Sequence, residues 1–225
     1  MGEAIGQLLP FAVGVALSPT PIVAMILMLI TPKARVNGIV FVLGWIAGIA
    51  VAGAIFLALA SPTGASDDGE PARWTYWLKL VLGVLLLLVA AKEWRARPAP
   101  GTEAPMPKWM GMLDGMSTAK AGGLAFVLSA LNPKNLIFIV GGAAVVAQAG
   151  LSTGNQVVAW IVFTLIATIG VAAPLVIYFA MGARAASILD GLKSWMAQNN
   201  TAVMGVLCLI IGVKLVGDAI SGLST

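Results

Sequence analysis

The chain is predicted to be an all-α integral membrane protein of six transmembrane helices, arranged as an inverted 3+3 repeat with helices one and four broken. Three observations predict this. Of its 225 residues 60% are apolar and 10% charged, and the mean hydropathy is +0.98, more apolar surface than a soluble domain of this size can bury. The apolar residues fall into continuous runs long enough to cross a bilayer, and their lack of alternation excludes a β-barrel. Two of the runs are interrupted by related motifs, Leu17, Ser18, Pro19, Thr20, Pro21 and Leu131, Asn132, Pro133, Lys134, Asn135, which lie 114 positions apart, each after an Ala.

The spans are read at residues 5–30, 36–60, 74–91, 122–149, 157–180 and 201–217, each compatible with the roughly 17 to 25 residues that cross a bilayer. The first lacks a basic leader and runs into Pro32 and Lys33 without a small-residue cleavage pattern, so it is expected to stay in the mature chain. The third opens on Trp74 and Trp77 and closes at Trp94, and Trp109 and Trp195 fall in connections, as rings that favour the headgroup region do. Lys79, just inside that span, reads as a snorkelling side chain. Pro174 in the fifth span reads as a packing kink. In the sixth, Cys208 is the lone cysteine, which rules out an intrachain disulfide and reads as a small buried apolar residue. Lys214 and Asp218, four apart, form an expected interfacial pair. Two stripes at helical spacing, Met106, Trp109, Met110, Leu113, Met116 and Ile188, Leu189, Leu192, Trp195, Met196, are expected to lie flat on the membrane surface. The segments 61–71 and much of 96–107 are polar loops.

Lys33, Arg35, Lys92, Arg95, Arg97, Lys108, Lys120, Arg184 and Lys193 fall in connections on one side, against Arg73 on the other. The positive-inside rule then puts the 92–120 loop in the cytoplasm and both termini outside. The net charge of +4 follows from this asymmetry and reads as a topology signal in contact with anionic headgroups, not as a nucleic-acid site.

The halves match in order. Ile46, Ala47, Ile49, Val51 and Ala52 pair with Ile166, Ala167, Ile169, Val171 and Ala172, while Gly83, Val84 and Leu85 pair with Gly205, Val206 and Leu207. Residues 1–95 form a first three-helix repeat, 96–119 a cytoplasmic linker with an amphipathic segment, and 120–225 the second repeat. An odd number of spans per repeat makes the second copy enter from the opposite face, which inverts it.

A proline inside a membrane helix removes a donor and clashes with the preceding turn, so it is tolerated where the freed groups face protein, water or a ligand. Inversion brings the two breaks together near the bilayer centre, and the half-helices expected after Pro21 and after Asn135 aim N–H groups and dipole ends at one place. The candidate substrate-binding set is therefore Ser18, Pro19, Thr20, Pro21, Asn132, Pro133, Lys134 and Asn135. Lys134 faces either this cleft or, if span four starts after Asn135, the cytoplasmic surface; an ionisable group at such depth usually faces a cavity or a partner. No acidic residue is expected near a span centre, which argues against a metal or free-cation carrier and against hydrolysis. No catalytic residue, metal or cofactor is expected, and the chain is not read as an enzyme.

Pro19, Thr20, Pro21 in the first span, Asn132, Pro133, Lys134 at the start of the second half, and the 3+3 layout resemble the lysine exporter (LysE) superfamily. The fuller strings, Leu17 to Pro21 followed by Ile22, Val23, Ala24, Met25, and Leu131 to Asn135 followed by Leu136, Ile137, Phe138, are most similar to its actinobacterial peptidoglycolipid-addressing (GAP, or Sap) branch. Amino-acid exporters of the superfamily show Pro-Gly-Pro where this chain has Pro-Thr-Pro, which argues against an amino-acid substrate. The resemblance implies movement of glycolipids toward the cell surface. The expected function is a transporter or flippase that exports an amphipathic, anionic lipid or glycolipid across a bacterial cytoplasmic membrane. The alternatives are an amino-acid or small-metabolite exporter and a non-transporting scaffold for a lipid-export complex. Expected partners are the lipid substrate and membrane lipids, with a homodimer and lipid-synthesis or export partners at the cytoplasmic face left open.

Overall fold

The computed structural model describes residues 1–60, 73–97 and 115–224. They form helices α1 (Gly2–Ala16), α2 (Pro19–Leu29), α3 (Ala34–Ala60), α4 (Arg73–Arg95), α5 (Thr118–Ala130), α6 (Pro133–Gln148), α7 (Thr153–Met181) and α8 (Ala185–Leu223), with one 3-10 turn at Gly182–Arg184. Four are long and apolar enough to cross a membrane, and up to six crossings result if each bent pair counts as one. The bent pairs are α1 with α2, at 48°, and α5 with α6, at 60°. Proline is the cause at both places: Pro19 and Pro133 each open the second half-helix, because a proline ring collides with the preceding turn but fits the first helical position.

Helix directions follow from close contacts. Gly14 lies against Phe138 and Phe11 against Gly141, so α1 and α6 are antiparallel. Trp45 Nε1 donates to the Ala167 carbonyl at 3.3 Å, while Gly38 meets Leu175 and Gly53 meets Trp160, so α3 and α7 are antiparallel too. The same holds for α4 and α8, where Tyr76 meets Gly222, Gly83 meets Gly212 and Glu93 meets Gly205. In contrast α3 and α5 run parallel, Gly44 facing Gly122 and Gly48 facing Ser129. At the start of that seam buried Asn37 donates from Nδ2 to the Met116 carbonyl at 3.3 Å and accepts from Thr118 Oγ1 at 3.0 Å. The packing is crossed: α5 lies on α3, and α1 lies on α7. Each broken span thus rests on a long helix of the opposite half.

Two glycines make this crossing close. A Cβ at Gly48 would overlap Ser129 Oγ, and one at Gly170 would overlap the Ala16 carbonyl oxygen. Small residues let backbones approach where lipid offers no hydrophobic drive for association. Around them the core holds fully buried Phe11, Phe41, Trp45, Phe138 and Phe163, while Leu43, Leu59, Leu88, Leu165, Ile169 and Ile210 are exposed. An apolar exterior of this kind suits lipid contact.

These directions gather Met1, Leu59, Trp74, Gln148 and Gly222 at one end, and Leu29, Arg35, Arg95, Ser117 and Ala185 at the other. The basic end is the second, where Lys33, Arg35, Lys92, Arg95, Lys120, Arg184 and Lys193 stand on neighbouring helix termini. Trp74, Trp77, Trp94 and Trp195 are exposed, as interfacial rings should be. Lys214 Nζ pairs with Asp218 Oδ2 at 2.7 Å, and Cys208 is free and buried. Pro174 is buried within α7.

Four expectations are corrected. The third span does not stop at residue 91, and α4 continues to Arg95 with Glu93 turned inward. Lys79 does not snorkel outward; it is buried, because α4 turns it toward α1 and α6. The stripe from Ile188 to Met196 is not a separate surface helix. It is the first part of α8, with Leu189 and Met196 buried and Ile188 and Trp195 exposed. The half-helices start at Pro19 and Pro133, not after Pro21 and Asn135. The loops at 61–71 and 98–107, the stripe members Met106, Trp109, Met110 and Leu113, and Lys108 lie outside the described residues.

Candidate substrate site at the paired helix breaks

The antiparallel register of α1 on α6 decides where the breaks lie. Gly14 faces Phe138; three residues further along α1 and three residues back along α6 are Leu17 and Asn135, so the two breaks fall at the same level of the bundle, although α2 and α6 themselves do not touch. Gly48 of α3 and Gly170 of α7 close on the ends of α5 and α1, and α4 and α8 stand beside them.

The second break is held by its asparagines. Asn132 caps α6, its Oδ1 accepting from the Lys134 backbone N–H at 3.1 Å. Asn135, fully buried, donates from Nδ2 to the Leu128 carbonyl at 2.9 Å, and so satisfies an acceptor that the end of α5 leaves without an intrahelical partner. Its Oδ1 is buried without a partner among the described residues. Asn135→Leu is expected to destabilise the fold by about 1–3 kcal/mol by stranding the Leu128 carbonyl, and Asn132→Ala by about 1 kcal/mol; thermal unfolding of the detergent-solubilised chain measures both.

The first break is built differently. Ser18 is the N-cap of α2 and is buried, yet makes no side-chain cap bond. Pro19 and Pro21, also buried, carry no N–H, so among the first three positions only Thr20 offers a backbone donor. The two half-helix ends are therefore unequal as anion sites. The α2 end supplies one N–H, the Thr20 hydroxyl and the Ser18 hydroxyl; the α6 end has its first N–H engaged by Asn132 and adds a formal charge. Pro133 is exposed and sits at the rim.

Lys134 is where the sequence reading is most altered. Its Nζ pairs with Glu93 Oε1 at 2.5 Å, with the carboxylate side chain 10% exposed and the lysine side chain 32% exposed. Lys134 therefore faces inward to α4, and its partner is an acidic residue in the last turn of that helix. Glu93 is not named as the partner of Lys134 in the sequence reading, which ends the third span at residue 91. Its signal was available: a lysine on an apolar helix calls for a counter-charge, and Glu93 continues the inward face of Leu82, Leu86 and Ala90. The pair is a neutral, half-open dipole at the mouth of the breaks, and an anion reaching Lys134 must compete with Glu93.

No curated protein and no solved structure matches the chain. The family described as Sap, sulfolipid-1-addressing protein, matches it over residues 8–221. That stretch begins inside α1 and ends in the last turn of α8, and takes in both breaks and Glu93. The chain belongs to the Sap, sulfolipid-1-addressing protein, family.

Proposed function

We propose that this protein is a transporter that moves an amphipathic, anionic lipid or glycolipid from the inner to the outer leaflet of a bacterial cytoplasmic membrane, and that its halves form an inverted 3+3 repeat of the LysE type. The observation that carries the reading is that two proline-broken spans pack through α1 on α6, with their breaks level and one of them beside a half-open Lys134–Glu93 pair. Broken helices at a repeat interface are where such proteins place substrate. In support of the inversion, the helix directions reverse between halves, and the crossed contacts of α5 on α3 and α1 on α7 interchange when the halves are exchanged.

In the mechanism, an acidic headgroup takes the place of the Glu93 carboxylate on Lys134, receives the Thr20 N–H and nearby hydroxyls, and leaves its apolar tail between helices. The exchange keeps Lys134 paired, while the displaced Glu93 carboxylate turns to the open side of the pair and is hydrated or takes a proton until the lipid leaves. Release restores the internal pair. Ser18, Pro19, Thr20, Pro21, Asn132, Pro133, Lys134 and Asn135 thus divide into headgroup contacts (Ser18, Thr20, Lys134) and the frame that holds the breaks open (the prolines and asparagines).

The reading is tested in liposomes with a fluorescent sulfated glycolipid and its neutral counterpart. The sulfated lipid is expected to cross faster with the protein present, and the Pro19→Ala, Pro133→Ala double variant to reach normal abundance but lose most of the acceleration, because replacing the prolines that open α2 and α6 lets each bent span straighten and close the gap. No acceleration of either lipid would favour the scaffold reading; export of an amino acid instead would favour the metabolite exporter. For orientation, a cysteine at Ser152 in a Cys208→Ser background is expected to react with an impermeant maleimide in intact cells, and one at Ser187 to react only after permeabilisation. The reverse pattern would turn the protein over.

A further inference from the structure

A second polar cavity, of about 350 Å³, lies at the opposite end of the bundle from the basic termini, between α1, α4 and α6. Its inner wall carries two donors. Lys79 is 8% exposed; its ammonium lies 5.6 Å from the centroid of the Tyr76 ring and within the field of Asp218 and Lys214, and no hydrogen-bonded acceptor holds it among the described residues. The Gln148 Nε2 is buried and has no acceptor among the described residues. Of the acidic groups nearby, Glu3 stands at the exposed rim and accepts from Gln7 Nε2 at 3.3 Å, where water screens its charge, and Asp218 is paired with Lys214. A buried cation and a buried amide N–H on the inner wall of a cavity whose carboxylate, Glu3, stands at the exposed rim describe a place for an oxyanion.

The other side of the α4–α6 contact is its chemical opposite. Phe56, Leu59, Leu78, Val140, Ala143 and Ala144 line an open apolar groove of about 460 Å³. On α4, Leu78 faces the groove and Lys79 the cavity; on α6, Ala144 faces the groove and Gln148 the cavity. A headgroup-sized polar chamber and an alkyl-sized trough share two helices.

We propose that this end holds a second lipid site, in which a sulfate or phosphate ester is bound by Lys79 and Gln148 and the acyl chain of the same molecule lies in the groove. It serves as a receiving site for cargo that has left the breaks. The proposal rests on the reading of the cargo as an anionic lipid, and its occupant is that lipid rather than a free anion.

The test uses the full chain in phosphatidylcholine nanodiscs with a photoreactive sulfated galactosylceramide, and maps the labelled peptides by mass spectrometry. Labelling is expected around residues 76–79 and 145–149, about tenfold stronger than with the same lipid lacking its sulfate. Lys79→Gln and Gln148→Leu are each expected to cut it severalfold. Lys79→Arg, which keeps the charge, should retain most of it, separating a lost contact from a lost fold. Lys134→Gln should weaken labelling at the breaks and leave this site intact. Equal labelling by the neutral lipid, or labelling indifferent to Lys79→Gln, overturns the proposal. Loss of the label to low-millimolar inorganic sulfate also overturns it, and assigns the cavity to a soluble oxyanion. A protein that labels here but does not accelerate flipping keeps this site and loses the transport reading.

Discussion

Lys134→Glu is expected to abolish export and to leave little folded protein. The substitution sets two carboxylates at a contact now made by Nζ and Oε1 at 2.5 Å, one of them largely buried. Removing one partner of a fully buried pair costs about 3–5 kcal/mol, and the partial exposure of Lys134 lowers this to roughly 2–3 kcal/mol for Lys134→Ala. Lys134→Glu is worse, since repulsion is added to the loss. Glu93→Gln should be far milder, because a neutral amide can still accept from the lysine, and it should bind the anionic cargo more tightly once the internal competitor is gone. The decisive variant exchanges the two, Lys134→Glu with Glu93→Lys. It is expected to recover abundance and thermal stability without export, because the positive charge then sits on α4 instead of at the α6 terminus. Full export by the exchanged pair would reduce the ion pair to a structural fastener, and a stable, active Lys134→Glu would remove it from the mechanism altogether.

Gly170→Val is expected to prevent assembly of the bundle. Even a methyl at this position would overlap the Ala16 carbonyl oxygen, and that obstacle is backbone, unable to swing aside as a side-chain tip would. Overpacking of a core costs about 1–3 kcal/mol where side chains can adjust; here α1 and α7 must separate, so the loss should exceed that range. Gly217→Ala on α8 is the control, with open space around it, and should be neutral or raise stability by up to about 1 kcal/mol through better helix propensity. Temperature-dependent aggregation of the solubilised protein measures both. If Gly170→Val melts like the parent, the close crossing described here is wrong.

Much of the architecture was legible because in a membrane length and continuity of apolar runs translate directly into helices. The broken spans were legible for a related reason: Pro19, Pro21 and Pro133 are costly within a helix and advertise the place where it stops. The starting points are displaced by three residues at both breaks because the proline itself takes the first helical position. What escaped were features that depend on rotation about a helix axis. Glu93 and Lys79 sit near span ends, where a charged side chain can face water, lipid or the bundle, and only the neighbours choose. Asn37, which locks α3 to the start of α5, sits in a sequence that names no partner. The stripe at Ile188 to Met196 has the same periodicity whether the helix lies on a membrane or runs upright against α2, and no periodicity argument separates the two.

The crossed packing has a consequence for how the chain is made. Gly44 and Gly48 on α3 await Gly122 and Ser129, and Ala16 at the end of α1 awaits Gly170. Translation proceeds at about 5–20 residues per second, so the end of α1 stays without its seat for roughly 8 to 30 s while the ribosome reaches α7. The first half must pass that interval in the bilayer with its backbone seams covered by lipid or by an insertion factor, and a ribosome stalled between α4 and α7 would release a fragment whose breaks have nothing to close against.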